Sequence, residues 1–300
     1  MTDVSSPNLR WWRVRVPLKF EWPGAVEREA LIVRGPAGWG EASPMPGFPC
    51  DPEMARRSAV EAATTEWPAP RRRAIPVNST VPPLVPTDAG RLAGEDAATG
   101  VSCFKIKVGV GDDVGRVSAV RDAVGKAASL RVDANGAWDV DTARARLTSL
   151  ARFDLELAEQ PVAGLDDLAR LRRLVNVPLA ADEAVRDVHD ARRLKKLGAA
   201  DALVVKVQPL GGVRPALAVV ETAGVPAIVS SMLETSVGLA AGAALAASLP
   251  ELPFSCGLGT ATLLAADVTD DPLSPRGGAI RVRPVSANER LLDRLAAPDN

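Results

Sequence analysis

Two textures of hydrophobic patterning divide the chain. From Trp11 to Ser43 apolar and polar residues alternate, as in Trp12-Arg13-Val14-Arg15-Val16, before the denser run Ala30-Leu31-Ile32-Val33. Alternation at period two predicts strands with one buried face, and Pro23-Gly24 and Gly35-Pro36 punctuate them as turns. The pattern predicts an antiparallel hairpin or small sheet ending at Gly38-Trp39-Gly40-Glu41, with Pro17–Pro23 and Pro44–Pro52 as loops. Asp51 as N-cap and Pro52 as first helical residue predict a helix through about Glu66. Trp67-Pro68-Ala69-Pro70 and Arg71-Arg72-Arg73 read as a solvated linker. Residues 1–74 therefore form a small α+β unit.

From Ile75 strands and helices take turns. The strand candidates are Pro76–Val81, Cys103–Val108, Leu130–Asp133, Leu155–Glu159, Leu179–Asp182, Ala202–Val207, Ala227–Ser230 and Pro253–Gly257. Amphipathic stretches lie between them, among them Asp112–Ala128, Asp141–Arg152, Leu165–Val175, Val188–Leu197, Val213–Ala223 and Val237–Leu249. Eight strands separated by helices predict a parallel wound sheet, most economically a (β/α)7β modified TIM barrel over 75–274 behind an N-terminal α+β capping domain. After Gly257 the chain turns irregular. Ile280–Arg283 reads as one more short strand, and the segment 275–300 is expected to return to the first unit.

Within this pattern Cys103-Phe104-Lys105-Ile106-Lys107-Val108-Gly109 stands out. Alternation puts Lys105 and Lys107 on one face and Phe104, Ile106 and Val108 on the other. Two ammonium groups on a buried face are costly unless anions meet them. The anions follow at regular distance. Lys107, Asp133, Glu159, Asp182 and Lys206 sit at or near the ends of successive strands, at steps of 26, 26, 23 and 24 residues. Each step is about one β/α unit, and in a barrel the strand ends converge on one mouth. Each residue also has an ordinary reading: Asp133 a loop cap, Glu159 a loop acceptor, Asp182 an ion-pair partner for Lys206. Five at the unit period point instead to a shared site.

Three convergent carboxylates make a hard oxygen site suited to Mg²⁺ or Mn²⁺. Lysines on either side suit removal of a proton beside a substrate carboxylate, with Lys105 as the neighbour that tunes Lys107. Glu183 is expected to face away from Asp182 by alternation if the strand persists, and a supporting role behind Asp182 is left open. Composition narrows the rest. Among 300 residues there is one histidine, His189, expected at the surface, which leaves little material for imidazole metal cages or Ser-His-Asp catalysis. The net charge of −1 gives no electrostatic case for nucleic acid or an anionic membrane. Cys50, Cys103 and Cys256 are too few and scattered for a disulfide framework. No leader or membrane-spanning run is read. A cytoplasmic enzyme with a small-molecule carboxylate substrate is expected; oligomeric state is left open.

Lys105-Ile106-Lys107, Asp133-Ala134-Asn135, Glu159-Gln160-Pro161, Ala181-Asp182-Glu183 and Lys206-Val207-Gln208-Pro209-Leu210-Gly211-Gly212 together resemble the enolase superfamily, specifically its muconate-lactonizing-enzyme subgroup. The resemblance covers nearly the whole chain, and it implies the same capped barrel. The mandelate-racemase type needs a barrel histidine that this chain lacks. Gly38–Pro44, Ser230–Gly238 and Gly257–Thr260 resemble the subgroup's dehydratases. That resemblance implies syn dehydration of a cyclohexadiene carboxylate to an aromatic acid, with Lys107 as base, Lys206 facing it across the substrate, and Asp133, Glu159 and Asp182 as metal ligands. Ser230, Ser231, Gly257 and Gly259 would contact substrate. N-succinylamino acid racemases and dipeptide epimerases use the same lysine pair and remain the nearest alternative. A Schiff-base aldolase or a non-catalytic carboxylate-binding barrel stands further off, because neither needs three convergent carboxylates.

Overall fold

The structure is a computed structural model that describes residues 8–22 and 25–298. The alternating N-terminal segment forms an antiparallel sheet of β1 (Arg10–Trp22), β2 (Ala25–Gly35) and β3 (Gly38–Ala42). Val14 and Val16 on β1 and Ile32 on β2 are fully buried, as period two requires. Helix α1 (Pro52–Thr64) opens where Asp51 accepts the Glu53 amide at 2.8 Å. It lays Ala55, Ala59 and Ala63 against Val33 and Ala42. Residues 17–22, expected in a loop, extend β1 instead; the Pro23-Gly24 turn lies outside the described residues.

Ala74–Pro76 (β4) and Ser79–Val81 (β5) split what the pattern reads as one strand. β5 begins a seven-stranded parallel sheet that continues through β6 (Cys103–Lys107), β7 (Ser129–Asp133), β8 (Leu155–Glu159), β9 (Leu179–Ala181), β10 (Ala202–Lys206) and β11 (Ala227–Ser230). The expected eighth strand keeps only two parallel bridges, Ser230 to Gly257 and Val77 to Cys256, and these close the curl. Pro253, which has no amide hydrogen to give, sits where a longer strand would start.

The intervening helices are α2 (Pro86–Ala98), α3 (Asp113–Val124), α4 (Val140–Leu150), α5 (Leu165–Arg172), α6 (Val188–Leu197), α7 (Val213–Ala223) and α8 (Ser236–Ser248). Helix α2 escapes the sequence pattern because Gly90 and Gly94 weaken its helical signal. Asp112, Asp139 and Asp187 cap α3, α4 and α6.

The C-terminal strand β12 (Ala279–Arg281) pairs antiparallel with β4, at the entrance to the barrel, and not with the cap sheet. The cap is reached further on, past helix α9 (Glu289–Arg294), where the Arg15 amide donates to Leu295 O at 2.8 Å and the Ala297 amide to Arg13 O at 3.0 Å. Inside the barrel Leu157, Ala180, Ala202, Val204 and Ile228 fill the lower layer. The same inward parity puts charged residues at the upper ends of the strands. Among the described residues no helix is long and apolar enough to cross a membrane.

Candidate active site

Register builds the site. Lys107 lies beside Asp133, and Asp133 beside Glu159, as lateral partners on β6, β7 and β8. Parity points all three inward, with Lys105 one step below Lys107. Asp182 comes one residue after β9 ends, and Lys206 is the last residue of β10, level with Ser230 on β11. The five periodic residues and Lys105 all line one cavity of about 550 Å³, except Glu159, which lies just beneath, bound to Lys105.

The carboxylates and amines are interleaved. Lys105 Nζ donates to Asp133 Oδ2 at 2.9 Å and to Glu159 Oε1 at 2.8 Å. Lys107 Nζ donates to the same Asp133 oxygen at 2.6 Å and to Asn135 Oδ1 at 2.5 Å. Lys206 Nζ bonds Asp182 Oδ2. Burial opposes the charge on Lys105, but Asp133, Glu159 and Asp182 outweigh it and hold the amine charged above its ordinary range. Lys206 follows the same logic, with Asp182, Glu183 and Glu159 overcoming burial. Burial also resists ionisation of Asp133, which Lys105 and Lys107 reverse, so its carboxyl is held well below the usual range. Glu159 goes the other way: burial, then Asp133, push it up to about 7. The ammonium of Lys105 is committed to two carboxylates and serves them as a counter-charge.

A divalent cation fits this donor set. The carboxylates of Asp133, Glu159 and Asp182 come from adjacent strands, and those of Asp133 and Asp182 line the cavity. A second acidic group lies at the start of α6: Asp187 and His189 are exposed and Asp190 is half-buried. There Asp187 accepts the Asp190 amide at 2.8 Å, the ordinary work of a helix cap. His189 is exposed, as expected.

The remaining site residues come from loops, and here sequence reading was partial. Ser230, Ser231 and Gly257 line the cavity. A Cβ on Gly257 would stand 2.3 Å from Ser230 Oγ, so only glycine leaves the serine its place. Gly259 does not line the cavity; it packs against Asn78 O, Val77 and Pro275, because the chain has by then turned down the barrel wall. Thr260 takes the lining position and shares a 2.7 Å hydrogen bond with Ser231. Glu183 is not turned away. β9 stops at Ala181, alternation ends, and Glu183 accepts Asn135 Nδ2 at 2.5 Å on the cavity wall.

Gln160, at φ +37°, accepts the Asp182 amide at 2.6 Å and so ties two of the acidic strand ends together. Phe48, from the cap loop, lies with its ring centroid 4.2 Å from Lys206 Nζ. Neither residue carries a signal that separates it from an ordinary loop residue, although Gln160 stands inside one of the quoted motifs. Arg116 on α3 is buried and donates to the Lys107 carbonyl at 3.0 Å, to Val110 O at 3.0 Å and to Leu84 O at 2.7 Å. Its counter-ion Asp113 accepts the Gly109 amide at 3.0 Å.

Residues 88–286 match the family model described as enolase C-terminal domain-like, and residues 14–63 the one described as enolase N-terminal domain-like. The o-succinylbenzoate synthase of Thermobifida fusca is 51% identical over 285 residues, covering 92% of this chain and 88% of that protein. Among solved structures, 2-chloromuconate cycloisomerase from Rhodococcus opacus superposes with a TM-score of 0.88 at 24% identity, over 98% of this chain and 100% of that one. N-succinyl Arg/Lys racemase from Bacillus cereus gives 0.87 at 23% identity, over 96% and 97%.

Proposed function

The chain belongs to the enolase superfamily, and from that premise we propose that it carries out the o-succinylbenzoate synthase reaction of menaquinone biosynthesis. The enzyme is a lyase that dehydrates 2-succinyl-6-hydroxy-2,4-cyclohexadiene-1-carboxylate to o-succinylbenzoate. The observation that carries this reading is 51% identity over nearly the full chain to a protein of that activity. Racemisation and epimerisation have behind them only structures at a quarter identity or thereabouts, which speak to the fold.

In this reading Asp133, Glu159 and Asp182 hold a divalent metal, Mg²⁺ with Mn²⁺ as the alternative. When bound, the metal supplies positive charge to the substrate carboxylate as negative charge develops there. Lys107 takes the proton beside that carboxylate. The electrons move into an enediolate and then expel the ring hydroxyl, which leaves with the proton returned by Lys107 as one water. Both events use one face of the ring, so a single amine serves as base and then acid. Lys206, held charged, sits across the cavity and stabilises the enediolate. Lys105 neutralises Asp133 and Glu159. Asn135 holds Lys107 in place, while Ser230, Ser231 and Thr260 contact the substrate. The three cysteines are free thiols, which suits a reducing cytoplasm.

The test is ultraviolet loss of the diene with the cyclohexadiene substrate, before and after EDTA and on restoring Mg²⁺, with the aromatic product identified. Metal-dependent conversion is expected. No turnover of the diene alongside racemisation of an N-succinylamino acid would overturn the dehydratase reading.

A further inference from the structure

The cap touches the mouth through a buried polar seam that no catalytic step uses. Glu41, on β3 of the cap, is 3% exposed. Its carboxylate meets the start of α8: Oε1 accepts from Ser43 Oγ at 2.7 Å and from the Thr235 amide at 3.1 Å. Its Oε2 accepts from Thr235 Oγ1 at 2.5 Å and from the Gly238 amide at 2.9 Å. Two of these donors are backbone groups at the start of α8, whose first amides have no partner within the helix and favour an anion. A carboxylate from one domain thus completes the N-terminus of a helix in the other. Gly238 is what lets it in: a Cβ there would lie 2.9 Å from Glu41 Oε2 and 2.6 Å from Glu234 Cβ.

What precedes that helix is the substrate wall. Ser230, Ser231, Met232 and Leu233 line the cavity between β11 and Thr235. Leu233 is held at φ +63°, a conformation that a branched side chain adopts only when its surroundings fix it. The Ser43 hydroxyl that donates to Glu41 also accepts Gln208 Nε2 at 3.2 Å, and the Ser43 amide donates to Gln208 Oε1 at 2.7 Å. Gln208 is two residues past Lys206. One cap residue pair therefore grips both the wall after β11 and the segment after β10.

We propose that Glu41 is a positioning residue, which holds the Ser230–Leu233 wall and, through Ser43 and Gln208, the Lys206 segment in the geometry that receives the substrate. Its kinetic consequence rests on the dehydratase reading; its structural one does not. In Glu41→Gln one oxygen acceptor survives, and in Glu41→Ala none, so the effects are graded. Gly238→Ala leaves Glu41 intact and blocks its approach from the other side.

Hydrogen exchange is measured for residues 230–238 and 105–116 in the wild type and the three variants, together with KM and kcat for the diene. Exchange in 230–238 is expected to quicken about tenfold or more in each variant, with 105–116 unchanged. KM is expected to rise about tenfold and kcat to change several-fold less, since a wall out of place weakens binding before it removes the base. Unchanged exchange in 230–238 overturns the proposal whether or not the wild type is active. Quickened exchange with KM unmoved, or a loss confined to kcat, overturns it as well. A wild type without turnover overturns the dehydratase reading, and the exchange result then still decides the structural role.

Discussion

The two lysine-bearing halves of the mouth are anchored differently. The Lys107 half is held from within the barrel. Arg116, nine residues on, clasps the Lys107 and Val110 carbonyls, and Asp113 ties down the Gly109 amide. Of the Arg116 bonds, the one to Leu84 O leaves this single β/α unit. The Lys206 half is held from outside. Ser43 meets Gln208, Glu41 meets Thr235 and Gly238, and Glu61 of α1 accepts the Val213 amide at 2.5 Å at the start of α7. Phe48 closes over Lys206 itself. The half assigned the proton transfer is thus held mainly within the barrel, and the half assigned to charge stabilisation is finished by the cap. Any shift of the cap acts on binding and on the Lys206 face while leaving the base in place.

The strongest way to break this division is to remove each lysine. Lys107→Ala is expected to cut turnover by at least about 10²–10⁴-fold, the range for a lost general base. Lys206→Ala is expected to abolish dehydration as well, with the fold intact in both by circular dichroism. Retained turnover in pure Lys107→Ala protein would remove the proposed base. The proposed metal ligands lie between the halves, so Asp182→Asn should weaken Mg²⁺ binding by calorimetry about tenfold or more, and an unchanged affinity would strike Asp182 from the ligands.

Arg116 sharpens the comparison from the barrel side. Truncation to alanine leaves Asp113 buried without its partner, a loss of about 3–5 kcal/mol for pairs of this kind. Arg116→Lys keeps the charge but not the three-carbonyl clasp. It is expected to lower kcat several-fold with little change in KM, the reverse of the Glu41 variants. Steady-state kinetics with a denaturation curve would check it, and a pure KM effect would erase the distinction between the halves.

What the barrel itself positions, in both halves, was legible in sequence. Lys105, Lys107, Asp133, Glu159, Asp182 and Lys206 repeat at the length of the structural unit, so barrel closure turns spacing into proximity. The cap residues that finish the Lys206 half have no such period. Glu41 and Thr235 lie 194 positions apart, and Ser43 and Gln208 lie 165 apart. Nothing in an alternating strand says that its last carboxylate will cap a distant helix. Glu183 departs for a different reason: facing away required the strand to persist, and β9 ends two residues before it. Gly259 and Thr260 show the same limit, because within an irregular loop a motif marks the neighbourhood and not the side chain that faces inward.

The seam makes one prediction about pH, the smallest effect of the set. Burial, reinforced by Glu234, pushes the Glu41 carboxyl up to about 7 in the folded protein despite the hydrogen bonds from Thr235 and Ser43; Arg28 is the cation facing this cluster. The unfolded carboxyl keeps its ordinary value near 4.5. Between those values the folded chain holds more proton than the unfolded one. Stability from this group is therefore fully present below about pH 4.5 and is lost as the pH rises through about 7. Glu41→Gln has no such titration, so wild-type stability relative to the variant should fall by about 1–2 kcal/mol between pH 5 and pH 8, with Glu234 sharing part of the titration. Urea unfolding of both proteins at the two pH values gives the difference. If the loss belongs to the seam, hydrogen exchange at pH 8, corrected for the intrinsic rate, should quicken in residues 230–238 and not in 105–116. A loss seen equally in both proteins would place the titrating group elsewhere, and would leave the cap's hold on the Lys206 half independent of pH.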